Sequence, residues 1–416
     1  MLEAFFESKV RLLSVRRGPL AEHVDSLASK LQRAGYTRSN GRKILTLVGK
    51  FNNYVRLKGV ERAGDIDEAL IGRFLEEELA EEGVFSSAPN TLLRHLMDHL
   101  RQEGVVPMVC EPPLDEDGKL LDKYMVHLRD VGGLALSTRN RYQTEAWRLL
   151  KWFRERHGSR PMSGLSGPDV LAYITEMSET CSNAAGRQLL CSNTRSFLRY
   201  LRWAEIVDTD LSRVVPKVPR WRLDTVPRHL PWEKVRALID SVDTTTPDGM
   251  RDKAVLLLLA ELGLRNGEVR SLEVGDIAWH AGELRVRRTK TRRERVLPLP
   301  HEVGAALAEY LLHGRPSVDM PQIFVRHVAP MGPYKSAGAI GRIIAKHLQR
   351  TGITAPSRGA HLLRHSLATR MVNVGVPIKT IADVLGHTSI GTTAIYTKVD
   401  INTLTTVALP FPGGAS

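Results

Sequence analysis

The stretch AHLLRHSLATRMVNVGVPIKTIADVLGHTSIGTTAIYTKV, residues 360–399, reads as three helices, over 361–374, 378–385 and 390–396. His361 and Arg364 stand three positions apart, so on a helix they share one face and can reach one ligand. His387 follows an apolar helix and a glycine, and Tyr396 comes nine residues later in TTAIYTKV. A guanidinium offers a planar fork of donors matched to two phosphate oxygens. An imidazole can move protons, and a tyrosine can attack phosphorus. Because the pKa of a free phenol is ~10, it is a poor nucleophile near neutrality, and gathered cations are expected to favour the phenolate. His365 lies four residues after His361, a spacing that can also bind zinc. The intervening Leu362, Leu363 and Arg364 supply no carboxylate base, and an arginine repels a metal, so His365 reads as a packing or supporting residue.

Upstream, Arg265 ends the apolar run in LGLRNGEVRSLEVGDI, residues 262–277. Taken alone, it reads as readily as a structural residue, capping carbonyls or pairing with Glu268, as it does as a phosphate grip. Lys290 lies in RRTKTRRERVLPL, residues 287–299, a basic turn between segments that read as strands over 283–288 and 295–299. An ammonium can give up a proton to a departing oxygen, whereas Arg292 and Arg293 stay protonated. The plainer reading of this turn is a solvated basic loop. Tyr310 and Tyr334 are the competing tyrosines of this region and read as structural.

Arg265, Lys290, His361, Arg364, His387 and Tyr396, in this order and in these frames, resemble the tyrosine recombinase (phage-integrase) family over roughly residues 113–400. The resemblance implies that Tyr396 attacks a phosphodiester of double-stranded DNA, forms a 3′-phosphotyrosyl link and frees a 5′-hydroxyl. It gives Arg265, Arg364 and His387 the task of holding the phosphoryl group. Lys290 becomes the acid for the leaving oxygen, and His361 the general base or proton manager. No cofactor and no metal is called for. It further implies inverted core sites, a homotetramer, a Holliday-junction intermediate and accessory DNA-bending or element-encoded proteins, with integration, excision or transposition of a mobile element as the role. Rival readings are a type IB topoisomerase, a non-catalytic DNA-binding regulator with the same fold, and a chromosome or plasmid dimer resolvase.

The fold expected is mainly α, with a small β-sheet in the catalytic domain and helical modules before it. Residues 1–112 read as an extra helical domain for DNA binding or assembly, with Thr37 and Ser39 placed to cap a helix carrying Ile44, Val48, Phe51 and Tyr54. Residues 113–212 resemble the family's core-binding helical domain, whose Arg139, Arg141, Lys151, Arg199 and Arg202 are candidate phosphate contacts. His99-Leu100-Arg101 lies 101 positions before Tyr200-Leu201-Arg202. That offset fits duplication and chance resemblance of amphipathic bundles about equally. Residues 213–230 form a basic linker that includes Arg220, and prolines 216, 219, 227 and 231 favour extended chain there. The catalytic domain is expected over 231–400, opening with helices over 232–239 and 248–264. A tail follows over 401–416, where Leu404, Val407 and Leu409 are candidate anchors on a neighbour.

Bulk composition agrees with a nucleic-acid partner. The 416 residues carry 59 Lys and Arg against 46 Asp and Glu, a net charge of +13. So basic a chain usually meets a polyanion, though solubility alone is the plainer explanation. Cys110, Cys181 and Cys191 lack metal spacing and read as reduced thiols of a cytoplasmic protein. The apolar run Ala254–Ala260 is far short of the ~20 residues that span a bilayer.

Overall fold

The computed structural model describes residues 2–78, 88–107, 115–219, 228–287, 294–336, 338–387, 390–393 and 395–396. The chain falls into two compact units, Met1–Met108 with Thr225–Ser416, and Val109–Asp224. As expected, helices dominate, and among the described residues the one sheet is small.

The N-terminal helices are α1 (Lys9–Val15), α2 (Val24–Arg33), α3 (Arg38–Leu57), α4 (Glu68–Glu77) and α5 (Ala88–Gln102). Thr37 caps α3 by accepting from the Asn40 amide at 3.3 Å, and Asp67 caps α4 through the Leu70 amide at 2.8 Å. Ser39 lies inside α3 and does not cap it. Ile44, Val48, Phe51 and Val55 recur at helical spacing and are buried with Phe74 and Leu100. Gly49 lets α1 approach closely, since a Cβ there would sit 3.2 Å from the Val15 methyl. The Met331 amide donates to the Ala34 carbonyl at 2.9 Å, tying this module to the C-terminal part of its unit.

The second unit holds α6 (Glu116–Asp130), α7 (Leu136–His157), α8 (Gly167–Glu179) and α9 (Ala184–Trp203) around Tyr124, Phe153, Tyr173 and Phe197. Its plan repeats that of the N-terminal module. A 3₁₀ turn, Ala63–Asp65, separates α3 from α4, and another, Met162–Gly164, separates α7 from α8. The last helices end alike. After α5, the Val105 and Val106 amides both reach the Leu100 carbonyl, at 2.9 and 3.4 Å. After α9, Ile206 and Val207 reach Leu201 at the same two distances. Gly104 (φ 71°) and Glu205 (φ 56°) take the same left-handed position. Left-handed terminators of this kind also close α2 at Gly35 and α3 at Gly59, so they fit duplication and chance similarity alike.

The C-terminal region runs α10 (Trp232–Asp240), α11 (Pro247–Glu261), α12 (Asn266–Ser271), β1 (Ile277–Ala278), β2 (Glu283–Val286), β3 (Arg295–Pro298), α13 (His301–Glu309), α14 (Gly338–Thr351), α15 (His361–Asn373), α16 (Ile378–Leu385) and α17 (Ile390–Thr393). The sheet is antiparallel in the order β1-β2-β3, with Leu284 opposite Leu297 and both buried. Every residue of α11 from Ala254 to Ala260 is fully buried, so this helix is the axle of the domain. It stops at Glu261 rather than 264. Gly263 adopts φ 58°, and the Leu264 amide turns back to the Leu258 carbonyl. The strand β1 and the helix α12 are additions to the elements expected from the sequence. The linker residues 220–227, the basic turn 288–293 and the tail 397–416 lie outside the described residues, and with them Arg220, Lys290, Leu404, Val407 and Leu409. Among the described residues, no helix is long and apolar enough to cross a membrane.

Candidate active site

Arg265 begins α12 at the point where the Gly263 turn releases the chain from α11. Its Nη1 donates to Glu268 Oε1 at 2.9 Å, and its Nη2 to the Gly386 carbonyl at 2.7 Å. Both plain readings of Arg265, carbonyl cap and Glu268 partner, are therefore realised in this state. Glu268 is buried and also receives a two-pronged grip from Arg295, at 3.0 and 2.9 Å. Burial works against its charge, but hydrogen bonds and attraction from Arg295 and Arg265 prevail and hold its carboxyl down at about 2. Arg295 in turn donates to the Val384 carbonyl at 3.1 Å.

Arg364 lies on α15 and is 3% exposed. Its Nη1 donates to the Gly263 carbonyl at 2.5 Å and its Nη2 to the Leu385 carbonyl at 2.6 Å. Burial, then the nearby Arg265 cation, lowers its pKa to about 9, which still leaves it charged at neutral pH. Arg265 and Arg364 thus hold the carbonyls of consecutive residues, Gly386 and Leu385, at the end of α16. Each gives one of its five N–H donors to that helix end and a second elsewhere, Arg265 to Glu268 and Arg364 to the Gly263 carbonyl. Gly386 closes α16 in the left-handed conformation (φ 61°) and passes the chain to His387. His387 Nδ1 meets the Thr393 hydroxyl at 2.7 Å. Burial, reinforced by Arg364 and Arg265, brings its pKa down to about 4, so the ring is neutral and offers one N–H.

Tyr396 is 1% exposed, packed with Leu367, Val372, Ile381 and Leu385. Its hydroxyl lies 2.5 Å from His365 Nδ1. Burial raises the phenol to about 12, only partly offset by Arg364. At this phenol burial outweighs the Arg364 cation; the expected preference for phenolate concerns cations gathered around a phosphate. Burial, then His361 and Arg364, lowers His365 to about 4, so its ring is neutral. With Nδ1 as the lone-pair nitrogen, the phenol donates to it. His361 is exposed at the first turn of α15, its ring 6.1 Å from that of His365.

The structure therefore brings Arg265, Arg364, His387 and Tyr396 together, with His361 at the rim. It adds Glu268, Arg295, His365 and Thr393. Tyr310 is fully buried, stacks on Phe324 and bonds to His327 at 3.1 Å, away from this cluster. In the second unit, Arg141, Lys151, Arg199 and Arg202 are exposed and Arg139 is half-buried. Lys151 lies 5.4 Å from the Trp147 ring. Arg195 is committed to the Val215 and Pro216 carbonyls, both at 3.2 Å. Among the described residues, no group of three or more His, Cys, Asp or Glu side chains is arranged to hold a metal.

The Phage integrase family matches residues 228–403, the span that contains Arg265, Glu268, Arg295, His361, Arg364, His365, His387, Thr393 and Tyr396. A Sinorhizobium fredii protein named as an integrase/recombinase, y4rF, is 40% identical over 423 residues, covering all of this chain and 97% of that protein. The chain belongs to the tyrosine recombinase (phage integrase) family. Members of this enzyme family are site-specific recombinases. Tyrosine recombinase XerC of Pelotomaculum thermopropionicum is 29% identical over 290 residues, covering 67% of this chain and 93% of that one. Among solved structures, the XerH recombinase bound to a palindromic difH substrate matches with a TM-score of 0.54 and 17% identity, over 80% of this chain and 92% of that one. Lambda integrase (75–356) bound to a core site matches with a TM-score of 0.51 and 17% identity, over 67% and 94%. These two show the shared fold.

Proposed function

We propose that this recombinase cuts and rejoins double-stranded DNA through Tyr396, with Arg265, Arg364 and His387 holding the scissile phosphate. The observation that supports it most is the convergence of Arg265 and Arg364 on the carbonyls just before His387, with the Tyr396 hydroxyl one hydrogen bond from the neighbour of Arg364. The Tyr396 oxygen attacks phosphorus, the P–O5′ bond breaks, and the phosphate stays on the tyrosine as a 3′ ester. The tyrosine proton passes to His365 Nδ1. Burial raises the Tyr396 phenol and lowers His365, so before attack the proton rests on the phenol. Transfer therefore accompanies attack and does not precede it. The anionic phosphate raises the proton affinity of His365 as it enters, since a nearby opposite charge favours the imidazolium. Lys290, by the family pattern, protonates the departing O5′; in rejoining the same groups act in reverse, Lys290 taking the proton of the attacking 5′-hydroxyl and His365 returning its proton to the tyrosine, with His361 at the rim. Charge on the pentavalent phosphoryl group is met by arginines where other phosphoryl-transfer sites use Mg²⁺.

The role proposed is integration, excision or transposition of a mobile element, by a homotetramer passing through a Holliday junction. The full-length likeness to y4rF, which includes residues 1–112, supports an integrase-type role over a compact resolvase. A nicked duplex that traps the covalent product, incubated with the full chain, tests the reading. An adduct stable to denaturation is expected from the native protein and none from Tyr396→Phe. An adduct from Tyr396→Phe overturns it.

A further inference from the structure

The N-terminal module carries a groove that the tyrosine chemistry does not use. Two adjoining cavities, of about 610 and 480 Å³, share Phe6 and Arg11 and run between α1 and α3. Arg11, Arg17, Arg38, Arg42, Lys50 and Arg56 line them. The lone carboxylate in either lining is Glu7, and it meets Arg38 at 2.8 Å with both side chains largely exposed. An exposed pair of this kind contributes little and yields to a stronger anion. Arg11, Arg17 and Arg42 have no side-chain partner among the described residues.

The order of these residues along α3 is specific. Arg38, Arg42, Thr46, Gly49, Asn53 and Arg56 recur every three or four positions, which places them on one helix face. That stripe is ~27 Å long at ~1.5 Å per residue. It matches about eight base-pair steps of a duplex at ~3.4 Å each. Hydroxyl and amide side chains between the cations are the chemistry that meets phosphate oxygens. The acidic helix α4 lines neither cavity, and its Glu77 is occupied by Tyr54 and Lys58. Positive charge is thus segregated within the module.

We propose that this α1–α3 groove binds the sugar–phosphate backbone of duplex DNA, as a second DNA site separate from the one around Tyr396. The inference takes its ligand from the DNA reading above. It makes residues 1–108 a DNA-holding part of the enzyme, one that adds affinity without reading bases.

The test uses the full chain and a labelled 30-base-pair duplex of random sequence, with binding followed by fluorescence anisotropy from 50 to 200 mM salt. The triple variant Arg11→Gln/Arg42→Gln/Arg56→Gln should bind more weakly. Its slope of log K against log salt should be shallower by about 3, at roughly 0.9 for each phosphate no longer neutralised. The corresponding Arg→Lys triple should keep the native slope, which separates the effect of charge from that of structure. A control triple, Arg33→Gln/Arg62→Gln/Arg73→Gln, removes equal charge from exposed residues outside the groove and should leave the slope unchanged. An unchanged slope for the groove variant, or an equal fall in the control, overturns the proposal. Loss of self-association in sedimentation with an unchanged slope also overturns it, assigning the groove to a protein contact. Covalent adduct on the nicked duplex is scored in parallel. Its absence from the native protein would sink the tyrosine reading while leaving the slope comparison intact.

Discussion

Glu268 is the side chain on which the guanidinium cluster depends. It is buried and answers both Arg265 and Arg295. Glu268→Ala leaves two poorly solvated cations without their anion, and unfolding in urea should show a loss of ~3–5 kcal/mol. A loss below ~1 kcal/mol, the range of an exposed pair, would contradict the account. His365→Ala should bind DNA normally yet cleave ~10²-fold or more slowly, with its rate climbing toward alkaline pH, because the proton acceptor is gone. His365→Gln keeps an acceptor that cannot take the proton, so native cleavage by it would reduce His365 to a positioning role. Arg265→Ala and Arg364→Ala should each cost ~3–4 kcal/mol of transition-state stabilisation, and the double variant less than the sum. Strict additivity would mean they serve different groups. His365 and His387 are both held near 4, below the ordinary 6.5. The unfolded chain therefore binds protons that the folded one refuses, and Tm should fall as pH drops from 6.5 toward 4. At this scale the sequence frames expose the long-range set, because Arg265, His361, Arg364, His387 and Tyr396 each stand in a distinctive local pattern. Arg295 and the His365–Tyr396 contact are not legible there. Their partners lie tens of residues away, and only the packing of α15, α16 and β3 brings them into reach.

Elements with a clear period are legible in the sequence and those without one are not. Helix α11 shows as an unbroken apolar run and α3 as a helical stripe, whereas β1 has two residues and α12 six, too few to carry a pattern. The end of α11 is hidden because the apolar character continues through Leu262 and Leu264, while Gly263 alone turns the backbone. Its neighbours leave no room there: a Cβ at Gly263 would sit 2.6 Å from Leu385 and 3.0 Å from Leu367. At the end of α9, Glu205 occupies the left-handed position that its counterpart Gly104 fills without strain. Glu205→Gly should therefore raise stability by about 1 kcal/mol, read from the urea midpoint. A lower midpoint would show that the Glu205 side chain contributes more than its backbone costs.

At the scale of the molecule, net charge and motif placement along the chain point to DNA, and the family match confirms the class. The grouping of residues 1–108 with the catalytic region is not legible in the sequence, since a contact such as Met331 to Ala34 leaves no local signature. With arginines meeting the phosphoryl charge, cleavage should persist in EDTA, and rescue of a chelator-abolished reaction by one divalent ion would remove this scheme. The central claim is that DNA becomes joined to Tyr396. The most direct measurement is mass spectrometry of the trapped adduct after digestion with trypsin and nuclease. Trypsin releases Tyr396 in the peptide Thr380–Lys398. The account predicts a nucleotide on that peptide, at the tyrosine, and a nucleotide on a peptide containing Tyr310 or Tyr334 would contradict it.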